Sequence, residues 1–144
     1  MKLAYLFSGQ GSQYVGMHKI FIDYKSYSEK YFKISNELLG YNILDIIKNG
    51  PLEKINSTKH TQPSIFIISA IAYNIFKDKF NSPDCFAGHS LGEITALYCS
   101  EVLQFEEALI LIKKRSENME KASIENPGKM LAIINANKNI ISEI

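Results

Sequence analysis

Apolar residues fall along this chain in two rhythms. Residues 3–7 (LAYLF) form a short unbroken apolar run closed by Ser8 and Gly9, which predicts a buried β-strand. The loop 8–16, with glycines at 9, 11 and 16, follows it. Tyr31, Phe32, Ile34 and Leu38 then recur near helical spacing up to Gly40, and predict a helix over 27–39 with glycine at its stop. A short helix over 41–48 ends at Asn49-Gly50-Pro51. A longer one is expected to start near Pro63, a residue suited to a first helical turn. It runs through Ile65, Ile68, Ile71, Ala72, Ile75 and Phe76, and the Asn81-Ser82-Pro83 turn closes it.

Residues 84–87 read as a short strand, 91–100 as the helix behind it, and 105–122 as another helix broken by Asn126-Pro127-Gly128. KMLAIIN (129–135) reads as a strand, and 139–144 as a helix that stops in mid-pattern, which suggests a truncated domain. Alternating strands and helices predict an α/β fold with a parallel sheet.

Composition narrows the partners. A chain of 144 residues, 46% apolar and 22% charged, is globular and sized for one core. A net charge of +1 argues against a nucleic-acid surface. The longest apolar run, 65–76, is interrupted by Asn74 and is too short to span a membrane. The apolar stretch at the N-terminus is too brief for a signal peptide and reads as the first strand. Cys85 and Cys99 lie in apolar settings without metal-like spacing, and are expected to be small core residues of a cytoplasmic protein.

The chemistry concentrates at Gly88-His89-Ser90-Leu91-Gly92-Glu93. A G-x-S-x-G turn between a strand and a helix lifts the serine hydroxyl out of the backbone as a nucleophile. The following helix N-terminus supplies amide donors, so Ser90 is the candidate nucleophile and the Leu91 amide an oxyanion donor. A serine that merely caps a helix is the structural alternative. Such a nucleophile needs a general base, yet no histidine or aspartate follows Ser90. His89 points away from its neighbour on so sharp a turn, and His18 and His60 read as surface residues; no metal site is visible.

Gly9-Gln10-Gly11-Ser12-Gln13 follows the first strand, and loops at the carboxyl ends of parallel strands converge on one crevice. Gln10 is there a second candidate oxyanion donor, against the alternative of a flexible glycine turn. Arg115 is the chain's single arginine. It falls within the apolar stripe Phe105, Ala108, Leu109, Ile112 and Met119, whereas Lys113, Lys114, Glu117 and Glu120 fall outside. A cation among core positions needs a partner or ligand: either a carboxylate-bearing substrate, or a structural ion pair or snorkelling edge residue.

Several segments together are familiar: FSGQGSQYVGM (7–17), LGYNI (39–43), TQPSIF (61–66), AGHSLGE (87–93), IKKRS (112–116) and GKMLAII (128–134). In order and spacing the chain resembles the malonyl-CoA:acyl-carrier-protein transacylase family. The resemblance implies an α/β-hydrolase-like core over 1–127, and over 128–144 the start of an inserted ferredoxin-like subdomain. It implies that Ser90 takes malonyl from coenzyme A as an ester and passes it to the phosphopantetheine thiol of an acyl carrier protein, with no bound cofactor. Gln10 and Leu91 would form the oxyanion hole and Arg115 would clamp the malonyl carboxylate; Leu91 also matches malonyl-using members. Ser8 stands where the family usually has proline and Ser116 where glycine is common. The family's base histidine would lie beyond Ile144. A serine esterase or thioesterase and a non-catalytic fragment are the competing readings.

Overall fold

The computed structural model describes residues 2–128, so the strand and helix expected over 129–144 lie outside the described residues. Two strands, β1 (Ala4–Phe7) and β2 (Cys85–Gly88), pair in parallel. Tyr5 sits opposite Phe86, and Phe7 opposite Gly88. The N-terminal ends are tied by the Asp84 amide donating to the Leu3 carbonyl at 2.8 Å and the Leu3 amide donating to the Asp84 carboxylate at 2.7 Å. A parallel pair needs a long crossover. Here it comprises a 3-10 helix (Met17–Tyr24), α1 (Lys25–Leu39), α2 (Ile43–Asn49), α3 (Leu52–Asn56) and α4 (Thr58–Phe76). After β2 come α5 (Leu91–Cys99) and α6 (Phe105–Glu125). The α/β expectation holds at this level.

The helices form as their sequences dictate. Gly40 ends α1 at φ 81°, where a side chain would be strained, and its amide returns to the Asn36 carbonyl. The Asn42 side chain caps α2 by accepting from the Asp45 amide at 3.0 Å. The Gln104 amide donates to the Glu107 carboxylate at 2.8 Å and starts α6. α4 is apolar nearly all round, the mark of a central helix: Phe66, Ile67, Ala70 and Ile71 are fully buried. It packs on α6 through the stacked rings of Phe66 and Phe105, 5.4 Å apart, and through Leu109 and Ile112.

Four expectations are corrected. The strand predicted as buried is covered on one face only: Tyr5 and Phe86 meet Tyr73 of α4 and Phe7 stacks on Phe86, whereas Leu6 is 76% exposed. Cys85 shares that open face and is exposed; Cys99 is buried, and burial pushes its thiol up to about 12. The long helix starts at Thr58, with Pro63 inside it. Proline leaves the carbonyl four residues earlier without its helical donor, and the Tyr41 hydroxyl, kept protonated by burial, donates to that Lys59 carbonyl at 3.3 Å. In the stripe of α6, Ser116 takes the buried place; Met119 is 42% exposed and Arg115 flanks the stripe, half-buried. The 3-10 helix and α3 were not anticipated.

Candidate active site

β2 ends at Gly88 and α5 begins at Leu91, so the chain reverses over His89 and Ser90 alone. Ser90 takes φ 55°, ψ −105°, a conformation that costs a non-glycine residue about 1–3 kcal/mol. Three backbone bonds hold it there. The His89 amide donates to the Phe7 carbonyl at 3.1 Å, the Gly92 amide to the His89 carbonyl at 2.9 Å, and the Glu93 amide to the Ser90 carbonyl at 3.2 Å. The glycines are steric necessities. A Cβ on Gly88 would run into the Gly92 backbone, and one on Gly92 would lie 3.1 Å from the Ser8 carbonyl oxygen and closer still to that of Phe7. The turn therefore seats directly on the end of β1.

Ser90 is exposed, at the N-terminus of a nine-residue helix. The Leu91 amide, first in that helix, meets no backbone acceptor among the described residues. Its N–H is free to bind a developing negative charge, and the aligned peptide dipoles favour one there.

Arg115 reaches the same point from α6. Its Nη2 donates to the Ser90 hydroxyl at 2.9 Å and its Nη1 to the Gln62 side-chain carbonyl at 2.6 Å. No carboxylate pairs with it: the ion pairs among the described residues are Lys25–Glu29 and Lys121–Glu125. The structural ion-pair reading thus finds no partner here, and a guanidinium with N–H groups to spare lies beside the hydroxyl.

Gln62 is the residue that reading the sequence missed. It is 1% exposed on α4 and anchors the arginine from behind, while its amide nitrogen meets the Met119 sulfur at 3.3 Å. Its signal was hidden because the helix was expected to begin one residue later.

Gln10 lies in a loop fastened by its own side chains. Ser12 donates to the Gly9 carbonyl at 3.0 Å, the Gly11 amide donates to the Gln13 side chain at 2.8 Å, and Gln13 donates to Asn56 at 2.8 Å. The loop abuts the elbow, since a Cβ on Gly9 would fall 2.7 Å from the His89 carbonyl oxygen. The Gln10 side chain itself donates to Thr58 at 3.4 Å, the first residue of α4. Ser90 and Arg115 are therefore in direct contact, while the loop meets the elbow at His89 and the Gln10 side chain is turned to Thr58.

None of the three histidines hydrogen-bonds Ser90 among the described residues. His89 turns toward Gly9. His18 and His60 are half-buried, a correction to their reading as surface residues. Burial, then Lys48 and Lys19, lower the pKa of His18. Burial first, then Lys54, lower that of His60, whose Nδ1 lies 3.1 Å from the Ser57 hydroxyl. Ser57 in turn donates to Glu120 at 2.6 Å. Among the described residues no cluster of His, Cys, Asp and Glu could hold a metal ion, and no helix is long and apolar enough to cross a membrane.

A serine raised on a strained strand–turn–helix, beside a parallel strand, defines an α/β protein with a G-x-S-x-G elbow. Within that class the chain belongs to the acyl transferase domain family, whose pattern matches residues 4–143. It is 40% identical over 143 residues to the malonyl CoA-acyl carrier protein transacylase of Haemophilus influenzae, covering 97% of this chain and 46% of that one. Its fold matches the malonyl transacylase of Streptococcus pneumoniae with a TM-score of 0.86 and 39% identity, over 99% of this chain and 46% of that one. It also matches a malonyl transacylase solved in complex with a type II polyketide acyl carrier protein, with a TM-score of 0.79 and 34% identity, over 85% of this chain and 40% of that one. The chain thus spans about half the length of the relatives it matches.

Proposed function

We propose that the site carries the first half of a malonyl transfer: Ser90 accepts a malonyl group from coenzyme A as an ester. The ester then passes to the phosphopantetheine thiol of an acyl carrier protein, so coenzyme A and phosphopantetheine take part as substrates. One observation supports this reading over a general serine esterase: the guanidinium of Arg115, paired with no carboxylate among the described residues and 2.9 Å from the Ser90 hydroxyl. An uncharged ester gives that cation no role. A short acyl group bearing a free carboxylate gives it one, because a guanidinium fork binds a carboxylate through two parallel N–H donors. The relatives' names point the same way.

In the proposed acylation the Ser90 oxygen attacks the thioester carbon while its proton passes to a base. The carbonyl oxygen becomes an oxyanion, held by the Leu91 amide and by Gln10. The tetrahedral intermediate then collapses, the C–S bond breaks, and coenzyme A leaves as its thiol. Among the described residues no base is bonded to Ser90, so the reading requires a histidine brought to it, as the family resemblance implies. The α/β-hydrolase-like core over 1–127 and the ferredoxin-like subdomain beginning at 128 belong to the same proposal. The Ser90 elbow between β2 and α5 supports the first of these.

The test is mass spectrometry of the protein, with its base present, after incubation with malonyl-CoA. A malonyl adduct on the peptide carrying Ser90 is expected, and none in Ser90→Ala. An adduct that persists in that variant, or steady release of free malonate without carrier protein, refutes the reading.

A further inference from the structure

We propose that Met119 is an oxidation-sensitive positioning residue: its conversion to the sulfoxide by hydrogen peroxide shifts Gln62, and through Gln62 the Arg115 guanidinium beside Ser90. The carboxylate part of this inference rests on the function proposed above; the movement of the guanidinium does not.

A line of hydrogen bonds leads from the surface to the nucleophile. Met119 is 42% exposed, whereas Gln62 is 1% exposed. The Met119 sulfur lies 3.3 Å from the Gln62 amide nitrogen, Gln62 accepts from Arg115 at 2.6 Å, and Arg115 donates to Ser90 at 2.9 Å. The orientation of the amide follows from chemistry. A guanidinium only donates, so the Gln62 oxygen must face Arg115 and its NH2 group must face Met119. That buried NH2 therefore depends on a thioether, a weak acceptor.

Oxidation changes that one link. The sulfur gives up two electrons, an S–O bond forms as the O–O bond of the peroxide breaks, and the second oxygen leaves as water. The product is polar and chiral, and its oxygen is a strong acceptor in place of a weak one. The exposure of Met119 gives peroxide access and gives the new oxygen room. Met17, the other methionine among the described residues, is 3% exposed and shielded. Because Gln62 is bonded on both sides, a stronger pull on its NH2 group moves its carbonyl, and the guanidinium with it.

Arg115 is the only arginine in the chain, so its side-chain 15N resonances report its position without ambiguity. The experiment treats the full chain with hydrogen peroxide and locates the added oxygen by peptide mass. It then records those resonances and the affinity for malonate. With Met119 oxidised the resonances are expected to move and malonate affinity to fall about tenfold, the worth of weakening one hydrogen bond to a charged group. Methionine sulfoxide reductase should restore both, and Met119→Leu should show neither change under peroxide. An oxidised Met119 with unmoved resonances overturns the proposal, as does an equal shift in Met119→Leu. Resistance of Met119 under conditions that oxidise free methionine also overturns it. If Met119→Leu fails to fold, reversal by the reductase in the unsubstituted chain decides. Should malonate not bind the untreated protein, the proposed function fails, and the guanidinium resonances still decide this inference.

Discussion

Ser90 and Arg115 touch, yet they are held in place by different means. Ser90 is fixed by main chain: glycines at 88 and 92 press the turn against β1, and three backbone bonds lock a strained φ of 55°. Arg115 is fixed by side chains: one bond to Gln62, which leans on Met119. Backbone packing leaves no room for adjustment, because interiors are as dense as crystals. A side-chain relay keeps several rotatable bonds and can be retuned without unfolding anything. The serine is accordingly the rigid partner, and the guanidinium beside it the adjustable one.

The largest effect that sharpens this contrast comes from Gly92→Ala. Its methyl group has no space beside the Phe7 and Ser8 carbonyls, so β1 and the elbow must separate. The unfolding free energy should fall by about 4 kcal/mol or more, the range of severe core lesions. Gly40→Ala serves as the control. Nothing lies within 4 Å of its added carbon, and only the positive φ of 81° is strained, so the loss should be about 1 kcal/mol. Denaturant titration of both variants measures the gap. Equal losses would mean that the elbow is not clamped by β1.

Substitutions in the relay should leave the fold standing and change selection. Arg115→Ala removes a half-buried cation with no ionic partner among the described residues, so its midpoint of unfolding should stay near that of the unsubstituted protein. Preference for malonyl over acetyl thioester should fall by about a hundredfold, the worth of a hydrogen bond to a charged group. Gln62→Leu keeps the arginine and loses its anchor, and should cost about tenfold in the same ratio. Initial rates with the two thioesters give both numbers. A preference unchanged in Arg115→Ala would end the carboxylate role.

The contrast also explains what could be read from the chain. The elbow was legible because a turn this tight admits few residues, and its glycines, serine and flanking periodicities all lie within about a dozen positions. Arg115 was legible as a cation placed within an apolar stripe, which it in fact flanks, but its contact with Ser90, 25 positions away, depends on how α6 meets α5 and α4. Gln62 was hidden by a local rule. Proline is favoured in a first helical turn, so the helix was started at Pro63, whereas Tyr41, distant in sequence, supplies the donor that lets the helix begin at Thr58. The strand at 3–7 was read as wholly buried from its apolar run, yet the described residues cover one face of it. Where the determinants are neighbours in the chain, pattern suffices. Where they are neighbours in space, it does not.

The smallest effect concerns the start of α4, where a second side-chain relay meets the same helix pair. His60 packs against Tyr41, its Nδ1 is 3.1 Å from Ser57, and Ser57 donates to Glu120 of α6. Lys54 and Lys59 also face the ring; burial, then Lys54, lower its pKa, outweighing the attraction of Glu120. The folded state thus resists a proton that the unfolded chain binds at the ordinary value of about 6.5. The stabilising contribution is fully present above that value and declines as pH falls through it, levelling once the folded ring is protonated too. The melting temperature should therefore drop between about pH 7.5 and pH 5. His60→Gln, which keeps a polar group for Ser57, should flatten part of that drop and leave the part due to His18, whose pKa is lowered in the same direction. A melting temperature that rises on acidification, and does so less in His60→Gln, would mean that Glu120 dominates and that protonation tightens the junction of α4 with α6.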